Sequence, residues 1–258
     1  MHMHIESRRE GALAIVRLNR PDALNALSEP MKDEMALLFA ELGRDPAVRA
    51  VLLCAAGKAF CASGDVSTMG DFTPTSAQDR VKRAHRMIIS LANIEKPVVA
   101  AVQGAVAGIG WSMAMACDQI IAAESAYFSQ VFKNVGLAPD GGAIHFLIQN
   151  LGVLRAKELV LSGRRVKSAE ALALGLVSRV VPDADLERDA MAVADELAHG
   201  PTLAFGAGKK LFKGAVTPSL EAYLDSEAFA QINALLTDDH REGVRAFFDK
   251  RKPEFKGT

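Results

Sequence analysis

Two glycine-rich corners and one carboxylate are the groups in this chain whose types and spacing could do chemistry. Gly108-Ile109-Gly110 follows the apolar segment Pro97–Val102 and precedes a short helical run. Backbone amides at such a corner lack helical partners and can hold a carbonyl oxygen that becomes negative in a transition state. A second corner ends at Gly142 and carries Asp140 before another helix. Amides that cradle an oxyanion beside a carboxylate predict an active site.

The chemical groups also allow structural interpretations. Asp140 precedes two glycines at a helix start, which is the pattern of an N-cap, although one carboxylate can both cap a helix and act as a base. Glycine turns can serve backbone geometry alone. His85 lies on an otherwise apolar helical face, where a core histidine satisfied by a neighbour and a catalytic base both fit the pattern.

The elements that must position these groups alternate between strands and helices, which is typical of an α/β fold. From Leu186 onward the pattern is helical only, with interruptions at Gly200-Pro201, Gly214 and Pro218. We therefore predict a core over residues 1–200 and a helical region over residues 201–258. The predicted strands are Ala12–Leu18, Val51–Ala55, Pro97–Val102, Gln119–Ala123 and Ser178–Val181. The predicted helices begin after Ser28, run from about Ser76 to Asn93, and include Trp111–Cys117, Ala156–Leu161 and Ser168–Leu174.

Composition excludes several classes of protein. The 258 residues are 50% hydrophobic and carry a formal net charge of −1, so charge gives no indication of nucleic-acid binding. Three cysteines, an odd number, favour reduced thiols over a disulfide framework. No apolar signal core begins the chain, and glycines interrupt the apolar stretch Val98–Ala116, so we expect a cytoplasmic protein that does not span a membrane. No metal-ligand spacing and no dinucleotide-binding glycine pattern is present.

Motifs spread along nearly the whole chain resemble those of the crotonase (enoyl-CoA hydratase/isomerase) superfamily. They occur in the order found in that family. The matching segments are Leu18–Asp22, Asn25–Leu27, Phe60–Asp65, Lys96–Gly104, Cys117–Asp118, Gly175–Pro182 and Glu242–Pro253.

This resemblance implies a spiral of ββα units followed by a C-terminal helical trimerisation region, in a homotrimer or a dimer of trimers. It implies an acyl-CoA thioester as substrate, with coenzyme A as part of the substrate and no tightly bound cofactor. The amides of Gly64 and Ile109 would form the oxyanion hole, and the side chain of Ile109 would narrow the pocket. The positions implied for coenzyme A binding are Asn25, Ala62, Gly64, Asp65 and Lys250.

The resemblance also bears on the reaction. Ser112 and Phe132 occupy the positions of the two glutamates that activate water in the family's hydratases, and neither can act as a base. Isomerases of the family often carry an aspartate where this chain has Asp140. Aroyl-CoA dehalogenases have a histidine matching His85, but a tryptophan where this chain has Phe132. We therefore expect an isomerase-like proton shuttle. The alternatives are a hydratase with an atypical site, an aroyl-CoA dehalogenase and a non-catalytic acyl-CoA-binding protein.

Overall fold

The computed structural model describes residues 4–215 and 219–258, so Pro218 lies outside the described part of the chain. It confirms the α/β class and the alternation of strands and helices. The strands are β1 (Ile5–Glu10), β2 (Leu13–Leu18), β3 (Ala50–Ala55), β4 (Val98–Val102), β5 (Ala105–Ala107), β6 (Gln119–Ala123), β7 (Tyr127–Ser129), β8 (Val166–Lys167) and β9 (Arg179–Val181). The helices are α1 (Glu29–Arg44), α2 (Pro74–Ala92), α3 (Ile109–Met115), α4 (Ala143–Ser162), α5 (Ser168–Ala173), α6 (Leu186–Ala198), α7 (Thr202–Gly214), α8 (Leu220–Leu235) and α9 (Asp238–Asp249).

The main sheet has six strands in the order β1-β2-β3-β4-β6-β9, and only the β1–β2 pair is antiparallel among these described strands. Strand β4 is apolar and buried along its whole length, as expected for a parallel strand covered on both faces. The hydrophobic core therefore divides into two layers. Helices α1 to α4 contribute side chains to the layer on one face of the sheet, and α6 covers the other face through Ala190, Ala194 and Ala198.

A second, three-stranded sheet brings the functional corners together. Strand β5 pairs with β7 in parallel, and β7 pairs with β8 antiparallel. A parallel bridge also joins Cys61 to Val106 of β5, so the loop after β3 lies directly beside the turn into α3. The segment Val98–Ala116 thus divides into β4, β5 and α3. None of the helices in the described residues is long and apolar enough to cross a membrane.

Helices α7 to α9 form the C-terminal region, and specific polar contacts hold it on the core. The Lys209 ammonium on α7 lies 2.7 Å from the Asp118 carboxylate. The Arg49 guanidinium donates to the carbonyl oxygens of Gly200 and Phe255, at 2.6 and 2.8 Å. These contacts join residues on the two sides of the predicted boundary near residue 200. The boundary itself stays a prediction.

Candidate active site

The first corner of the site is the loop after β3, where Gly64 lies. The Leu27 amide donates to the Ser63 carbonyl at 2.9 Å, and the Asp65 amide donates to the Leu27 carbonyl at 3.0 Å. These bonds bracket Gly64 and leave its own amide without a backbone acceptor in the described structure. Cys61 anchors the loop by bonding to both flanks of β5. Burial raises the pKa of the Cys61 thiol to about 12, so this side chain packs as a neutral group.

The second corner is the turn into α3, and it touches the first. Gly108 has φ +51°, and a Cβ there would collide with the Ser63 side chain. A Cβ at Gly110 would lie 2.6 Å from the Cβ of Cys61. Ile109, between these glycines, is the first residue of α3, so its amide precedes the intrahelical hydrogen bonds. The two glycines therefore allow the Gly64 and Ile109 corners to pack against each other.

The third corner carries Asp140 and also contacts α3. A Cβ at Gly141 would lie 2.8 Å from Cγ1 of Ile109, whose side chain is almost fully buried. The Ser112 hydroxyl donates to the backbone carbonyl of Asp140 at 3.0 Å. The Asp140 carboxylate accepts from the Gly141 amide at 2.6 Å and lies 3.1 Å from Nε2 of His85. The structure thus brings the predicted residues Asp140, His85 and Ile109 into one region.

Two structural interpretations made from the sequence are wrong. Asp140 does not cap α4, because the helix begins at Ala143 and its N-cap residue is Gly142. His85 is not a core histidine, because its side chain is 52% exposed and pairs with Asp140. Both side chains are therefore available for chemistry.

Ser112 and Phe132, which the resemblance places at the positions of the hydratase glutamates, are both buried. Ser112 is fully buried, and its hydroxyl is shared between the carbonyl oxygens of Gly108 and Asp140. Phe132 is 7% exposed and belongs to the main hydrophobic core. Neither residue offers a proton-accepting group, and Ser112 instead holds the Asp140 corner against α3.

The segments predicted to bind coenzyme A lie together around strained backbone. Asn25 is fully buried, and its amide donates to the carbonyls of Ala56 and Ala59 at 2.8 Å each. Leu24 and Asn25 both have positive φ, and the Ala62 amide donates to the Leu24 carbonyl. Asn25 thus holds these loops in place, and only the backbone around it remains free for a ligand. A cavity of about 570 Å³ opens beside them, lined by Pro21, Asp22, Leu24, Gly57 and Lys58.

Lys250 lies far from these loops in sequence. It ends α9 in a left-handed conformation with φ +54°, and its side chain is exposed. Its predicted role in binding coenzyme A stays a prediction.

Asp65, the residue after Gly64, is held in its ionised form. Hydrogen bonds from Ser67, followed by the Arg20 guanidinium at 2.6 Å, lower the pKa of Asp65 to about 2 against an opposing effect of burial.

A depressed folded-state pKa contributes stability that is present above the unfolded value and is lost as pH falls toward 2. Asp65→Asn should therefore weaken the acid dependence of folding. Between pH 7 and pH 3, wild type should lose about 1 kcal/mol more unfolding free energy than the variant. Urea titrations of both proteins at the two pH values measure this difference, and equal losses would contradict the assignment.

One ionic cluster was not predicted. Lys32 is buried on α1 and shares the Glu29 carboxylate with Arg80 of α2, close to Gly64. The i,i+3 spacing of Glu29 and Lys32 indicates an ion pair on one helix face. The burial of Lys32 depends on packing between α1 and α2, which the spacing does not show. Among residues 4–215 and 219–258, no group of three His, Cys, Asp or Glu side chains is placed to hold a metal ion.

Comparison with known proteins decides the family. The enoyl-CoA hydratase/isomerase family model matches residues 8–258. The chain belongs to the enoyl-CoA hydratase/isomerase family. It is 36% identical to a 1,2-epoxyphenylacetyl-CoA isomerase of Escherichia coli K12, with 98% of each chain covered, and 34% identical to a short-chain-enoyl-CoA hydratase of Clostridium acetobutylicum, with 95% of each covered.

Solved structures of this family also match the fold. The crystal structure of an enoyl-CoA hydratase from Bacillus anthracis superposes with a TM-score of 0.94 at 31% identity, covering 99% of this chain and 100% of the other. This confirms the crotonase fold expected from the motifs. Because relatives of both kinds, hydratases and isomerases, match over nearly the full chain, the family alone does not fix the reaction.

Proposed function

We propose that this enzyme of the enoyl-CoA hydratase/isomerase family is an acyl-CoA isomerase that moves a carbon–carbon double bond by proton transfer. The observation that carries this proposal is the position of the Asp140 carboxylate. It does not cap α4, it pairs with His85, and it lies beside the corner that contains the Ile109 amide. A carboxylate is the one group needed for a proton shuttle, whereas hydration in this family uses two.

The reaction follows from these groups. The thioester oxygen accepts hydrogen bonds from the Gly64 and Ile109 amides. Asp140 removes a proton from the α-carbon of a β,γ-unsaturated acyl-CoA, and the electron pair of that C–H bond delocalises into the thioester oxygen. The dienolate then takes the same proton back from Asp140 at its γ-carbon, so the double bond becomes α,β. The thioester is the electron sink, and no further cofactor enters.

His85 has a supporting role in this proposal. Its Nε2 can donate to the Asp140 carboxylate and orient it toward the substrate. His85 also lines an open cavity of about 680 Å³, together with Gly142 and His145. The shuttled proton can therefore exchange with solvent through His85, so isomerisation in heavy water should incorporate some deuterium.

An aroyl-CoA dehalogenase is the second candidate, because a histidine paired with a carboxylate at 3.1 Å also suits nucleophilic attack by Asp140 followed by hydrolysis. Phe132 in place of the tryptophan counts against it. A chloride-release assay with halobenzoyl-CoA distinguishes the two reactions.

The reaction itself is tested with pairs of unsaturated thioesters. Incubation with β,γ-enoyl-CoA of several chain lengths should give the α,β-isomer, detected by mass-resolved chromatography and ultraviolet absorbance. Hydration of crotonyl-CoA should be about 10²–10⁴-fold slower than that by a hydratase with both glutamates, because Ser112 and Phe132 supply no acid or base. Fast hydration without any double-bond shift would contradict the proposal.

Coenzyme A binding is proposed at the loops around Asn25, Ala62 and Asp65, with the cavity beside Lys58 accepting the nucleotide end. An ammonium at the mouth of this cavity suits a phosphate group. Lys250, on the exposed end of α9, is proposed to reach the coenzyme of a neighbouring subunit.

We also propose that the protein is a homotrimer or a dimer of trimers. Helix α8 has no buried residue in the single chain. Its exposed apolar side chains include Leu220, Leu224, Phe229, Ile232 and Leu235. Apolar surface of this extent marks an interface with another chain. Light scattering at micromolar concentration should give three or six times the subunit mass, and a monomer would exclude this assembly.

A further inference from the structure

Three charged side chains form a cluster beside Gly64, in which Lys32 is buried and Glu29 and Arg80 are partly buried. The Lys32 ammonium on α1 lies 2.7 Å from Oε1 of Glu29, and the residue is 3% exposed. Nη1 of Arg80, on α2, lies 2.5 Å from the same Glu29 oxygen. Two cations therefore share one carboxylate, which leaves the Lys32–Glu29–Arg80 triad with one excess positive charge.

The triad lies close to both groups that the proposed reaction charges. Nη2 of Arg80 is 3.4 Å from the position a Cβ would occupy on Gly64. Burial lowers the pKa of the Lys32 ammonium, while the hydrogen bond to Glu29 and the negative charge of Asp140 oppose that effect. Arg80 therefore lies next to Gly64, whose amide is the proposed donor to the oxyanion, and the charge of Asp140 acts on the Lys32 ammonium.

This placement matters because the proposed reaction moves a negative charge. Before proton transfer the charge is on Asp140, and in the enolate it is on the thioester oxygen at the Gly64 amide. Burying an excess cation costs free energy unless an anion compensates it. A fixed cation near the place where negative charge develops stabilises that charge without reorganisation, and it does so most strongly away from water.

We propose, resting on the isomerase function proposed above, that the triad is a third component of the oxyanion site. Lys32 and Arg80 stabilise the enolate oxygen through space and do not touch it. In this proposal, the direct hydrogen bonds to the enolate oxygen come from the Gly64 and Ile109 amides.

Arg80 also has contacts that could be purely structural. Its Nη1 donates to the Thr68 hydroxyl at 3.1 Å, and its guanidinium lies 5.8 Å from the Phe72 ring centre. These contacts hold the loop after Gly64 on α2. The experiment must therefore separate charge from loop positioning.

The direct measurement is the infrared band of a bound thioester carbonyl. Benzoyl-CoA, isotope-labelled at that carbonyl, has no α-hydrogen, so the proton shuttle cannot consume it. Wild type should shift the band to lower wavenumber. Lys32→Met and Arg80→Gln should each lose at least half of this shift, whereas Arg80→Lys, which keeps the charge but not the forked contacts, should retain most of it.

Turnover of the β,γ-enoyl-CoA substrate provides the second readout. Lys32→Met and Arg80→Gln should lower kcat by about 10- to 100-fold with KM changed by less than about threefold. Lys96→Met is the matched control, because Lys96 is also buried but binds the carbonyls of Leu42 and Asp45 away from the site. This control should keep both the band and kcat. If Lys32→Met does not fold, the Arg80→Gln and Arg80→Lys pair carries the test.

The outcomes separate this inference from the proposed function. A wild-type band that is shifted, but that Lys32→Met and Arg80→Gln leave unchanged, overturns the triad and leaves the isomerase proposal intact. The same holds if Arg80→Lys is as impaired as Arg80→Gln. A wild-type band equal to that of the free thioester overturns both the triad and the oxyanion hole. A shifted band in a protein that isomerises no enoyl-CoA removes the proposed reaction and with it the role of the triad in it.

Discussion

Replacing Asp140 with asparagine is expected to lower isomerase turnover by about 10²–10⁴-fold, because the amide cannot accept a proton at neutral pH. Asparagine is nearly the same size, and its side-chain oxygen can still accept from the Gly141 amide and face His85. Stability should therefore stay within about 1 kcal/mol of wild type, as expected for loss of one exposed hydrogen-bonding interaction. Affinity for coenzyme A should not change, since its proposed contacts lie elsewhere.

Turnover, thermal stability and coenzyme A affinity should be measured on one preparation of the Asp140→Asn variant. Asp33→Asn is the matched control, because Asp33 is a half-exposed carboxylate that pairs with Arg83 and Arg86 on the outer side of α1 and α2. It should keep full turnover. If Asp140→Asn loses stability and yet keeps its turnover per folded molecule, Asp140 is a structural residue and the isomerase proposal fails.

Gly110→Ala should lower kcat by about 10²–10³-fold, the effect of losing one oxyanion donor. The new methyl group would lie 2.6 Å from the Cβ and 2.7 Å from the Sγ of Cys61. The Cys61 backbone cannot yield freely, because it is bonded to both Ala105 and Ala107 of β5. The two corners must therefore separate, and the Gly64 and Ile109 amides with them. Overpacking of this kind costs about 1–3 kcal/mol of stability.

Gly208→Ala provides the control for Gly110→Ala. Gly208 is inside α7, and no atom lies within 4 Å of its Cβ position, so alanine there should raise stability by about 0.5–1 kcal/mol and leave turnover unchanged. Combining Gly110→Ala with Cys61→Gly removes the colliding Cβ and Sγ, although the Cys61 carbonyl oxygen stays 2.8 Å from the new methyl group, so only part of the lost turnover should return. Full turnover in Gly110→Ala alone would show that the spacing of the corners does not limit the rate.

The sequence predicted strands β2, β3, β4, β6 and β9, because each is a short apolar run. The helical patterns between these runs predicted the alternation of strands and helices. The sequence did not predict β1, whose residues after Ile5 are all exposed and mostly charged, because pairing with β2 and not burial makes it a strand. The three-residue strands β5 and β7 were also missed. Their pairing depends on partners more than 20 residues away, which local patterns do not show.

The same limit applies to the site. The sequence places His85 on an apolar face of α2, yet the buried side chains of this helix are Ala84, Met87, Ile88 and Leu91. An error of about one residue in helical phase moves His85 from the core to the Asp140 carboxylate. Periodicity fixes a helix better than its rotation, since the rotation is set by which neighbour the helix packs on. Asp140 itself was identifiable from its glycine corner, but its partners were not.

The proposed hydrogen-bond donors to the substrate belong to the main chain, and this shapes how the protein can change under mutation. No amino-acid substitution other than proline can delete a backbone N–H, so inactivating changes at the oxyanion hole must act by displacement. They should therefore concentrate at Gly108 and Gly110, whose missing side chains let the corners approach. Conversely, the partly exposed side chain at position 140 can be exchanged without moving the proposed amide donors. On the proposed mechanism, few substitutions would then suffice for new reactivity on thioesters, because the amides that polarise the substrate would already be present.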